Sequence, residues 1–116
     1  MSIKHAAPNE VIDVGPWGDQ LPGHQTSLLF KSKQLEVLRL VLPAGKIITE
    51  HKAPGEITVQ CLEGRIAFTA GGKTQELIAG QMLYLTSGEP HALAALAPSS
   101  ALVTIVLAPK ALEPKT

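Results

Sequence analysis

The run GKIITEHKAPGEITVQCLEG, residues 45–64, decides the fold. It opens and closes on glycine and holds two short extended stretches, 47–51 and 57–62, separated by Pro54-Gly55. Within the second stretch Thr58 and Gln60 alternate with Ile57, Val59 and Cys61. That period of two belongs to a strand with one buried face. With Gly64 fixing the far turn, Ile57, Val59 and Cys61 are expected to face inward. The competing register, a one-residue slip through a bulge at Pro54-Gly55, would turn Glu56, Thr58 and Gln60 inward instead.

Working outward, the chain continues as short extended runs separated by glycine and proline. Further strands are expected at 27–30, 35–42, 66–70, 75–78, 82–85, 91–96 and 102–107. Gly71-Gly72 joins two of them as a hairpin, because both turn positions of such a loop favour positive φ. Segment 92–97 is rich in Ala and Leu, which favour helix. Pro90 and Pro98 bracket it, and so short a helix is unstable alone, so it is read as strand. Evenly spaced strands of this kind indicate an all-β sandwich or barrel, here of about ten strands. The organisation expected is a turn-rich arm over residues 1–24 with room for a short strand at 11–14, a barrel domain over 25–109 and a polar tail over 110–116.

The composition narrows the function. The chain has 116 residues, enough for a single domain with a real core. Ten Lys and Arg balance ten Asp and Glu, leaving no basic excess of the kind that nucleic-acid binding requires. Apolar runs are far too short to span a membrane. One cysteine, Cys61, excludes an internal disulfide framework and a cysteine-rich zinc module. The first eight residues show no apolar leader core, so a cytoplasmic protein is expected. One Trp, one Tyr and two Phe leave the core to aliphatic side chains. Segments 92–96 and 102–107 are apolar on both faces, so a second copy is expected to cover what one chain leaves open, giving a homodimer.

Two glycine-framed motifs then come into view. The first reads Gly45, five residues, His51, Lys52, Ala53, then Ile57, six residues, Gly64. The second reads Gly80, five residues, Thr86, Ser87, Gly88, Glu89, Pro90, His91, three residues, Ala95. In spacing this pair resembles the two motifs of the cupin superfamily, small RmlC-like jelly-roll barrels, over most of residues 35–107. The resemblance implies a cupin barrel with a pocket at its mouth near His51 and His91, and small-molecule or metal chemistry there. It also implies where this chain departs from the family. Metal-binding relatives place a second His where Ala53 stands and a Glu where Ile57 stands. Only His51 and His91 remain of that ligand set.

Two functions are consistent with this pattern. One is a small-molecule-binding cupin with a degenerate metal site, its pocket lined by His51, His91, Gln60, Tyr84 and Arg39. The other is a metal-dependent enzyme, dioxygenase-like or isomerase-like, in which His51 and His91 hold a divalent transition metal (Fe, Mn, Ni or Zn). Glu56, Gln60 or solvent would complete that metal's ligands. A metal-free enzyme using a histidine as general acid or base ranks below both, since no partner that would orient the imidazole is evident. Each residue also has a plainer role. Arg39 would pair with a neighbouring Glu or reach the rim, Tyr84 would pack, Cys61 would be a small buried hydrophobe, and His24 would belong to the arm.

Overall fold

The computed structural model describes residues 5–107. Nine strands run in order among the described residues: β1 (Ser27–Lys31), β2 (Leu35–Leu42), β3 (Ile47–His51), β4 (Ile57–Glu63), β5 (Arg65–Ala70), β6 (Lys73–Ile78), β7 (Met82–Leu85), β8 (His91–Ala95) and β9 (Ser99–Val106). They form two antiparallel sheets, one ordered β1-β2-β9-β4-β7 and the other β3-β8-β5-β6. This is the all-β jelly-roll barrel expected.

The sheets meet over an aliphatic core of Leu42, Ile57, Val59, Cys61, Ile66, Leu77, Leu85, Leu93, Ala101 and Val103, with Phe68 as the one aromatic side chain fully inside. On β4 the buried positions are Ile57, Val59 and Cys61, so the unslipped register holds. β8 is a strand because Ala92–Ala95 pair in sequence with Thr69–Ile66 of β5; the ladder overrides the helical preference of Ala and Leu. β9 starts at Ser99, earlier than expected, because Ser99 and Ser100 pair with Leu42 and Val41. Residues 11–14 carry no strand. The arm instead forms a short 3-10 helix, Gly18–Gly23, whose Leu21 is buried. The tail expected at 110–116 lies outside the described residues, as do residues 1–4.

A tight turn and two bulges set which side chains reach each face. Gly64 takes φ +89°, and a Cβ there would collide with Ser99 Oγ and the Pro98 carbonyl, so the β4–β5 turn requires glycine on two counts. These two bulges interrupt the ladders of β3 and β4; a third lies between Leu28 and Phe30 of β1. In β3, Ile48 pairs with Leu93 and His51 with His91, so three steps on one strand match two on the other. In β4, Cys61 pairs with Ala101 and Glu63 with Ser100, which leaves Leu62 as the extra residue. Each bulge resets which face the next side chain occupies. No helix among the described residues is long and apolar enough to cross a membrane.

Candidate functional site

The β3 bulge builds the site. Without it His51 would follow Ile47 and Thr49 onto the outer face; with it, His51 joins Ile48 on the side of the sheet that faces the barrel. There it lies directly across from His91, the first residue of β8, with ring centroids 4.2 Å apart and planes inclined at 59°. His51 sits at the exposed rim, and His91 is only 5% exposed. Phe68, inward on β5, lies nearly parallel to His91 at 5.8 Å and forms the apolar floor beside it. The Gly88 N–H donates to the Ala53 carbonyl at 2.9 Å, tying together the two loops that end at these histidines.

Both rings are oriented by their own backbone. His51 Nδ1 donates to the Thr49 carbonyl at 2.9 Å, and His91 Nδ1 donates to the Glu89 carbonyl at 2.9 Å. A carbonyl only accepts, so each neutral imidazole carries its proton on Nδ1 and keeps the Nε2 lone pair for a ligand. Metal-ligating histidines are commonly held in the same way. The protein donors brought together at this rim are the two imidazoles. Non-haem iron takes two histidines and a carboxylate, and catalytic zinc takes three protein ligands. Among the described residues no group of three or more His, Cys, Asp or Glu converges.

The other residues singled out from the sequence stand elsewhere. In-register pairing of β4 turns Glu56 away from the histidines; it is exposed and lines a shallow groove with Thr58, Met82, Tyr84, Thr104 and Val106 on the outer face of the five-stranded sheet. Tyr84 pairs with Thr58, shares its outward face and is 68% exposed. Gln60 is half-buried on that same face. The Cys61 thiol is sealed in the core, donating to the Glu63 and Gly64 carbonyls, and burial pushes its pKa up.

Arg39 anchors a second polar cluster, also on the outer face of the five-stranded sheet but covered by the arm. It is 1% exposed, and its Nη2 donates to the Gly15 carbonyl (2.8 Å), Glu63 Oε2 (3.1 Å) and Ser100 Oγ (3.1 Å). Its guanidinium lies 3.6 Å from the centre of the Trp17 ring, whose other neighbour is His24, stacked at 3.7 Å and 2°. Glu63 accepts in addition from Ser100 Oγ (2.8 Å) and the backbone N–H groups of Trp17 and Gly18. Burial alone would raise the Glu63 pKa, but the Ser100 hydroxyl, those two N–H groups and Arg39 together hold it below the usual carboxylate range. Burial pulls the Arg39 guanidinium down, with Glu63 pulling the other way. Of the plainer roles weighed for Arg39, pairing with a Glu is the one found.

Sequence reasoning missed Phe68, Glu63, Ser100 and Trp17. Phe68 was within reach, since alternation along β5 places it inward with Ile66. The others depend on the β4 bulge and on where the arm lies, and no local pattern marks either.

No curated protein matches the chain. Among solved structures, a conserved protein of unknown function from Streptococcus pyogenes is similar over 100% of this chain and 98% of its own, at 25% identity and TM-score 0.70. A cupin superfamily protein from Desulfitobacterium hafniense is similar over 71% and 75%, at 17% identity and TM-score 0.68. A DMSP lyase from Ruegeria pomeroyi is similar over 78% of this chain and 48% of its own, at 26% identity and TM-score 0.65. The cupin-domain profile matches residues 38–107, the span that contains both glycine-framed motifs and both rim histidines, and the chain belongs to the cupin family.

Proposed function

We propose that this cupin binds a small molecule at the barrel rim through His51 and His91, its metal centre reduced to that pair. The observation that carries the reading is the backbone lock on both Nδ1 atoms, which leaves two Nε2 acceptors at one rung of the barrel. A ligand suited to them presents hydroxyl or ammonium donors to the imidazoles and an apolar edge to Phe68. The same lock favours a second reading, a metal-dependent enzyme in which His51 and His91 hold a divalent transition metal (Fe, Mn, Ni or Zn) and solvent supplies the remaining ligands.

Elemental analysis of protein purified without added metal separates the two. Metal well below one equivalent, unchanged in His51→Ala, is the result expected. Near-stoichiometric metal that is lost in His51→Ala overturns the first reading in favour of the second. We propose further that the chain works as a homodimer through the outer face of the five-stranded sheet, where Met82 and Tyr84 are 55% and 68% exposed beside Val106. Light scattering at micromolar concentration is expected to give twice the chain mass, and Tyr84→Glu to give a monomer. The compartment we propose is the cytoplasm, where a lone thiol such as Cys61 stays reduced.

A further inference from the structure

A second concavity lies at the far end of the barrel. β3 begins beside it at Ile47 and ends at His51, so the two sites are about one strand length, roughly 13 Å, apart. It is a cavity of about 480 Å³ between the arm and the β2–β3 turn, within the size range of small-molecule sites. Its walls are mostly apolar, with Leu21 and Pro22 from the arm, Val41 from β2 and Pro43 from the turn, and the neutral polar side chains of Gln25 and Thr26 also line it. Among the described residues, no aspartate or glutamate lines it. The cationic group is Lys46, which makes no ion pair among the described residues, and His24 stands at the arm side. His24 is held there by its stack on Trp17, and Trp17 by Arg39.

We propose that this cavity is a second small-molecule site, for an amphipathic monocarboxylate whose apolar body lies between Leu21 and Val41 and whose carboxylate meets Lys46. One lysine, with no acid opposing it among the described residues, suits a single negative charge; a polyanion would leave its further charges without a lysine or arginine partner. The arm forms one wall and carries the chain's one tryptophan, so occupancy is reported by Trp17 through His24.

The test is titration of the whole protein with octanoate, followed by Trp17 emission and by amide shifts in nitrogen-15 NMR spectra. Saturable shifts at Leu21, Val41, Ala44 and Lys46, with a change in Trp17 emission, are the expected result. Lys46→Gln is expected to weaken binding about tenfold, as is replacing octanoate by octanol, while His91→Ala leaves it unchanged. Shifts centred on His51 and His91, an unsaturable response, or equal affinity in Lys46→Gln overturn the proposal. The same shifts produced by raising protein concentration without octanoate also overturn it, because a second copy would then be the occupant.

Discussion

The barrel carries two polar clusters, and they are opposites. Around Arg39 and Glu63 nearly every donor and acceptor is used within the chain; Arg39 Nη1 is the one buried side-chain nitrogen or oxygen without a partner among the described residues. At His51 and His91 each ring spends one nitrogen on its own backbone and keeps the other. The first cluster fastens the arm to the sheet, and the second holds unspent lone pairs at a rim. A polar residue inside an apolar strand is therefore no indicator of a site by itself. What separates scaffold from site is whether its hydrogen-bonding capacity is consumed by the fold.

That contrast is best broken at Glu63. Glu63→Ala strands the Arg39 guanidinium in the interior, and a loss of about 3–5 kcal/mol is expected by urea unfolding. Trp17 emission should shift in the same variant, since the arm loses its anchor. Stability is also expected to fall gradually on acidification. The Glu63 pKa is lower folded than unfolded, so its contribution is complete above the unfolded value, about 4.3, and fades as pH falls through the folded one. Unfolding curves taken downward from pH 6 should show this slope, and Glu63→Gln should flatten it.

At the other cluster the effects on stability shrink while those on binding grow. His91→Ala removes a buried ring beside Phe68 and orphans the Glu89 carbonyl, and should cost about 1–2 kcal/mol. His51→Ala, at the exposed rim, should cost under about 0.5 kcal/mol by the same measurement yet abolish rim binding. A large loss of stability in His51→Ala would show that the rim pair is scaffold after all.

Much of this architecture was legible in the sequence, for identifiable reasons. The bounds of β2, β3 and β7 follow from apolar runs cut by proline or glycine, and the β4 register follows from Ile57, Val59 and Cys61 alternating up to Gly64. The rim pair was legible because the glycine frame fixes where His51 and His91 fall. Glu56 stood one residue before the position of the family's Glu, Gln60 would have turned inward only in the slipped register, and Tyr84 and Arg39 were polar groups within strands; all four lie away from the histidines. The bulges were not legible, because Thr49-Glu50 and Leu62 look like ordinary strand residues. The Arg39–Glu63 pair was not either: it joins different strands and depends on an arm whose path is set by tertiary packing.

The β3 bulge has a consequence for chain length. Between Ile48 and His51 the strand holds one residue more than its partner needs. Deleting Thr49 or Glu50 would restore an even ladder and still leave both Ile48 and His51 facing the barrel. The same deletion at Thr58 in β4 would turn over every side chain on one side of the cut. Gaps and single-residue length changes are therefore better tolerated beside the histidine rim than in the strand that walls the core.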